Sequence, residues 1–398
     1  MKSREVRGRR EGRRGRQHGV SRRRFLAGAA ATAGGCLLPW VAARAVKAAE
    51  AAPVLREAAS PAERARIGGL IEGAKKEGTL VWYGPQIEPP QAAKLLEAFK
   101  QHYGLPDLKT EYTYAAPGET ITKVEEFMRA GRAYVDVVWN AAYAWYKDLR
   151  ARGELLAYTS PEYEAYTIAK AQQMSDPQFF VSDAYAFHPM YNPKALAKHG
   201  LGDWRPTSWK DLTDPKLKGL VSIGDVMQST SHAETMQGLL KVFGRGYFEA
   251  LAKNVQPVTF TRSAQGRDWV ASGEYPITFS SHAKNTLTLR TRGVEVSLLY
   301  PKEGIVLLPF TLAILKRAPH PNAAKLFVDF ARSKRGLGTV LSAGGLIFPG
   351  RSGVESPVPD LQPPVEKLTL IPMQWEKEGT REAITQVRTM WRELGLSR

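Results

Sequence analysis

Short apolar strands and amphipathic helices alternate along this chain, and that alternation limits the fold more than any single motif does. Thr79 to Tyr83 reads as a strand stopped by Gly84-Pro85. Gln91 to Tyr103 reads as a helix with Ala93, Leu95, Leu96 and Phe99 turned inward and Gly104 as its stop. Leu108 to Tyr114 alternates as a second strand, Thr120 to Gly131 is helical, and Val135 to Trp139 is a third strand ending at Asn140. Strands about 28 residues apart with helices between them predict an open, largely parallel α/β sheet. Ligands of such sheets sit beyond the carboxyl ends of the strands, which makes Tyr83, Gly84 and Gln86, and then Asn140 and Ala141, candidate site residues. Of the aromatic cluster Tyr83, Trp139, Tyr143, Trp145 and Tyr146, most members are expected in the core.

The alternation resumes farther along. Gln178 to Tyr191 is extended, with His188 among aromatic residues and read as a packed structural group. Leu220, Val221 and Ile223 form a buried strand, and Ala233, Met236, Leu239, Leu240 and Phe243 recur on one helix face. Between them lies Gln228-Ser229-Thr230-Ser231. Free amides at a helix start, with the positive end of the helix dipole, suit an anion, so Ser229, Thr230 and Ser231 are expected to hold one; the same residues also serve as an ordinary cap. Arg262, at the start of the helix Ser263 to Ser272, could grip a carboxylate or phosphate with both arms, with Arg267 as the alternative. The strand Ile277 to Ser280 runs into Ser281 and His282 at another helix start, adding both to the candidates. Glu303 to Leu315 is an extended run long enough to travel from one domain back to another. A last helix, Thr380 to Leu396, turns Ile384, Val387, Trp391 and Leu394 to one side and should pack on a lobe.

Charge needs dissection before it implies a partner. The 398 residues carry +17, but residues 1 to 50 hold 13 Lys and Arg against 3 acids, which leaves +7 for the remainder. That remainder is too mildly basic to imply a nucleic-acid partner. The first 50 residues read instead as a signal peptide with linker: Ser21-Arg22-Arg23-Arg24-Phe25-Leu26 matches the twin-arginine pattern, and an Ala/Gly-rich apolar run follows to about Ala43. Cleavage near Ala43 to Ala45 or Ala49 to Ala51 would remove the single cysteine, Cys36, and with it any disulfide, Cys-based metal site or Cys nucleophile.

Several segments together carry a family likeness. Ala74-Lys75-Lys76-Glu77-Gly78 before Val81-Trp82-Tyr83, the Val135-to-Trp139 strand, Tyr191-Asn192-Pro193-Lys194 and Asp211-Leu212-Thr213-Asp214-Pro215 resemble the extracellular solute-binding proteins of ABC importers. Val270 to Pro276 and Pro319 to Phe330 extend the likeness over about residues 65 to 350, close to the ferric-iron-binding branch. The resemblance implies a two-lobed periplasmic-binding-protein type II architecture, α/β, with each lobe a mixed sheet flanked by helices and crossovers at about 178 to 191 and 303 to 315. One lobe would comprise 55–180 plus 310–345, the other 185–305 plus 346–398. It further implies a hinged, monomeric periplasmic receptor that closes on a small anionic solute or a metal-anion chelate and delivers it to an ABC permease in the inner membrane, with no cofactor. The branch's iron ligands would fall at about Ile87, Ala141 and Ser280 to Lys284; that last stretch has no tyrosine, so bare iron held by side chains is not expected.

The competing reading is a periplasmic hydrolase using Ser231 or Ser281 beside His232 or His282. Residues adjacent in sequence rarely place a nucleophile and base in line, and no Gly-x-Ser-x-Gly elbow occurs. Binding without catalysis is therefore the expectation.

Overall fold

A computed structural model describes residues 52–85, 87–167, 170, 176, 178–255, 259–345 and 347–397. The leader, Cys36 and Gln86 lie outside these. Helix α1 (Pro61–Glu77) starts with the Ser60 hydroxyl accepting the Glu63 amide and ends at Gly78, whose positive φ closes the last turn. Strand β1 (Thr79–Gly84) follows, then α2 (Pro89–Tyr103), β2 (Lys109–Tyr114), α3 (Pro117–Arg129), β3 (Val137–Ala141) and α4 (Tyr143–Ala151). Prolines at the first turns of α1, α2 and α3 fix where these helices begin, because proline lacks the amide that a first turn leaves unused.

The extended run from 178 to 191 is two strands in two different sheets. Strand β4 (Phe179–Tyr185) and β5 (His188–Tyr191) are separated only by Ala186-Phe187, where the chain crosses between lobes. The second lobe continues with β6 (Val221–Gly224), the long helix α5 (Thr230–Val255), β7 (Thr259–Phe260), α6 (Ser263–Ser272), β8 (Ile277–Ser281), α7 (Ala283–Thr291) and β9 (Ser297–Leu298). The second extended run then returns to the first lobe as β10 (Leu308–Ile314), followed by α8 (Pro321–Arg332), α9 (Lys334–Ser342), β11 (Phe348–Pro349) and, after an irregular stretch, α10 (Arg381–Glu393).

Two mixed sheets result, of order β11-β4-β10-β3-β1-β2 and β7-β6-β8-β5-β9. β1 is parallel to β2 and β3, and β6 is parallel to β7 and β8; β10 runs antiparallel to β3 and β4. This is the two-lobed α/β architecture expected, within a unit spanning residues 48 to 398. Two boundaries differ: β4 keeps the chain in the first sheet as far as Tyr185, where the second lobe was expected to begin. The segment after 345 was expected in the second lobe, yet Phe348-Pro349 pairs with β4, supplying hydrogen bonds to the open edge of the first sheet.

Each lobe has an aromatic core. Trp82 lies 5.7 Å from Trp139 and 5.0 Å from Phe327 in the first, and Trp209 lies 4.9 Å from Phe279 in the second. The chain beyond β11 ties the lobes together behind the strands' carboxyl ends. Glu376 accepts from Tyr143 (3.0 Å) and Arg150 (2.6 Å) on α4, while Arg388 on α10 donates to the Val226 carbonyl (3.1 Å) and Gln237 on α5 donates to that of Glu378 (2.8 Å).

Candidate solute site between the lobes

The carboxyl ends of β6, β7 and β8 each lead into a helix start, so α5, α6 and α7 begin along one edge of the second sheet. Each start leaves amides without intrahelical partners, and three such ends give that edge a positive potential without any charged side chain. The turn before α5 is held by Asp225, whose carboxylate accepts the Met227 amide (2.8 Å) and whose carbonyl accepts the Ser229 amide (3.1 Å). The Ser229 hydroxyl accepts the His232 amide (3.4 Å), an ordinary cap. Thr230 and Ser231 open the helix itself, and the Ser231 hydroxyl lies near the Tyr185 phenol at the crossover. Tyr185 and Phe187 thus form a floor against α5, and Phe187 stacks on His232 with centroids 4.3 Å apart.

His232 is 2% exposed, fits over Gly224 where a Cβ would come within 2.1 Å of its ring, and has no hydrogen-bond partner on either nitrogen among the described residues. Burial pushes its imidazole down to about 3. His282 precedes α7, with its Nε2 3.2 Å from the Ser263 hydroxyl. Burial, then the cations Lys284 and Arg267, lower its pKa to about 4, so it is neutral at neutral pH. Ser281 is fully buried, its hydroxyl 3.6 Å from the Met190 sulfur. Arg262 is exposed, and its charge reaches Tyr114 and Glu119 of the first lobe; Arg267 is paired with Asp268 at 2.8 Å. Lys284 crosses to the first lobe and pairs with Glu88 at 2.7 Å.

On the first lobe the candidates are more deeply packed. Tyr83 stands edge-on to Phe127 and Tyr134, and Gly84 lies so close to β3 that a Cβ would come 2.0 Å from the Trp139 carbonyl. Asn140 donates to the Pro117 carbonyl (3.1 Å), fastening the start of α3, while its carbonyl oxygen has no partner among the described residues; Ala141 is buried. The Tyr112 hydroxyl lies against the carbonyls of Gly84 and Ile87, fixing the loop that carries Glu88. Thus Ser229 to Ser231, Arg262 and His282 share one wall with Lys284, whereas Tyr83, Gly84 and Ala141 shape the opposite wall from beneath.

Neither serine pairing of the hydrolase reading is present. The His232 ring stacks on Phe187 with neither nitrogen bonded among the described residues, and His282 meets Ser263 in place of Ser281. Sequence reasoning missed Tyr185, Glu234, Ser263, Lys284 and Glu88. Glu234 alone had a local signal, since it stands one turn beyond Ser231 on the same helix face. A groove of about 630 Å³ runs along α2 and β2, lined by Pro89 at the start of α2, Ala93, Leu96 and Tyr112.

A profile of the bacterial extracellular solute-binding proteins matches residues 79–344. The chain belongs to that family. An uncharacterized protein of Haemophilus influenzae is 28% identical over 307 residues, covering 74% of this chain and 84% of that one. The periplasmic binding protein AfuA from Actinobacillus pleuropneumoniae, solved with fructose-6-phosphate, superposes with a TM-score of 0.65 at 25% identity, covering 79% of this chain and 98% of AfuA. Iron-bound HitA from Pseudomonas aeruginosa gives a TM-score of 0.64 at 20% identity over 80% of this chain and 99% of HitA. These neighbours share the fold of two mixed sheets flanked by helices, the type II periplasmic-binding architecture. Among the described residues no three His, Cys, Asp or Glu side chains gather as a metal site. No described helix is long and apolar enough to cross a membrane.

Proposed function

We propose that this protein is the receptor of an ABC importer that takes a small anionic solute, or a metal already held in an anionic chelate, between its lobes and delivers it to an inner-membrane permease. Export by the twin-arginine route, action as a monomer and the absence of any catalytic step belong to the same reading. The observation that carries it is the convergence of three helix starts on one edge, with Arg262 and Lys284 turned toward the opposing lobe. Support also comes from AfuA, crystallised with a sugar phosphate, and from HitA, crystallised with iron. Solute contacts to Ser229, Thr230, Ser231, Arg262 and His282 on one side, and to the Gly84–Gln86 and Asn140–Ala141 loops on the other, favour the closed arrangement of the lobes by their differential affinity for it.

The test is calorimetric titration with phosphate, phosphate monoesters, citrate and ferric citrate. The Ser229→Ala/Ser231→Ala pair should weaken the best anion at least about tenfold, about 1.4 kcal/mol, with little change in melting temperature. Unchanged affinity in that double variant would count against the site, and indifference of the native protein to every anion would sink the function.

A further inference from the structure

Buried carboxylates among the described residues keep at least one donor, as Asp329 does with Tyr158 and Arg66 although its Oδ1 has none, and Glu234 at the lobe junction is the contrast. Asp136, fully buried, accepts the Val81 and His320 amides (2.7 Å each) and the His320 ring (2.9 Å). Asp183, also fully buried, accepts from the Trp139 indole (3.0 Å) and the Ser182 hydroxyl (2.5 Å). Glu234 is 2% exposed, and its Oε1 has no hydrogen-bond partner among the described residues. A buried carboxyl oxygen left unmatched costs on the order of 1–3 kcal/mol. Its position is not that of a filler in a core. It lies three residues beyond Ser231 on α5, where helical side chains lean back toward the helix start. The Tyr185 phenol lies near Ser231 and within electrostatic reach of the Glu234 carboxyl. The unmatched acid therefore stands beside the anion-holding turn, against the crossover.

We propose that Glu234 receives a hydrogen-bond donor of the solute, so that the solute carries a hydroxyl or ammonium group in the same molecule as the anionic group docked at Ser229 to Ser231. The inference rests on the anion reading above and goes beyond it by naming a second recognition group. Burial raises the Glu234 carboxyl to about 8, so at neutral pH it is a neutral acid that can both give and take a hydrogen bond. An ammonium would draw off its proton; a hydroxyl would leave it in place.

The test compares three phosphate monoesters on the native protein: ethyl phosphate, without a donor, glycerol phosphate, with hydroxyls, and phosphoethanolamine, with an ammonium. At least one donor-bearing ester should bind about tenfold or more tightly than ethyl phosphate. Glu234→Leu, close in volume and free of the unmatched oxygen, should fold and should abolish that preference while leaving ethyl phosphate within about twofold. Glu234→Gln, a mimic of the neutral acid, should keep the glycerol phosphate preference and lose that for phosphoethanolamine. Proton release on binding phosphoethanolamine, read from titrations in buffers of different ionisation enthalpy, separates the ammonium source from the hydroxyl source. Equal weakening of all three esters by Glu234→Leu, or no change in any, overturns the role of Glu234 while leaving the anion site standing. No binding of any phosphate to the native protein ends this inference, and the anion reading then stands or falls with citrate and ferric citrate.

Discussion

Glu234 has a consequence for stability that is independent of any ligand. Its carboxyl is held near 8 in the folded chain against 4.5 when solvated, so between those values the folded state binds the extra proton. Its contribution is fully present below about pH 4.5 and is lost as pH rises through 8, on the order of 5 kcal/mol. Glu234→Gln keeps the shape and cannot ionise, so its melting temperature should equal that of the native protein at pH 5 and exceed it by several degrees at pH 9. Parallel pH profiles for the two proteins would show that Glu234 is solvated or matched after all. The buried histidines act in the opposite sense. His232, held near 3, and His282, held near 4, lie below their solvated value of 6.5, so the stability tied to their neutral forms is present above 6.5 and is lost as pH falls.

Between elements, Gly84 separates a packing role from a binding one. A Cβ there would come 2.0 Å from the backbone carbonyl of Trp139, which cannot move without parting β1 from β3. Gly84→Ala should therefore lower stability by about 2–3 kcal/mol without ligand present, whereas Gly118→Ala, with open space around it, should stay within about 0.5 kcal/mol. Urea titration of both variants checks this, and a stable Gly84→Ala that has only lost anion binding would reassign the glycine to solute contact. The alternation of strands and helices around Gly84 was legible in the sequence because apolar runs, turn glycines and first-turn prolines are local signals. The crossover was legible as an extended run from 178 to 191, but not as two strands split at Ala186-Phe187, since what divides them is the choice of partner sheet. The pairing of Phe348-Pro349 with β4 had no local signal at all, because a two-residue strand is defined by its neighbour. The same limit applies at the site. The Ser229-to-Ser231 helix start could be read from its residue types, while Tyr185, Lys284 and Glu88 reach it from distant segments and could not.

Across the whole molecule, the receptor reading predicts that charges facing each other between the lobes bias how readily the cleft closes. Lys284 and Glu88 form an ion pair at 2.7 Å between lobes, with side chains 29% and 47% exposed. Arg262 faces Glu119 and Tyr114 from the same wall, so closure draws two cations of one lobe toward acids of the other. A pair this exposed is worth about 0–1 kcal/mol, enough to change the closed-to-open ratio by no more than about fivefold. Because apparent affinity scales with the closed population, Lys284→Ala should weaken anion binding by up to about fivefold at 50 mM salt. The charge-reversed pair Glu88→Lys/Lys284→Glu should recover most of that loss, which a direct contact between Lys284 and the solute would not allow. Raising the salt to 1 M, where the screening length falls to about 3 Å, should bring native and Lys284→Ala affinities together. Small-angle scattering of the ligand-free proteins supplies the mechanical readout, with Lys284→Ala the more open of the two. If the reversed pair stays as weak as Lys284→Ala at every salt concentration, Lys284 touches the solute and the bridge does not govern closure.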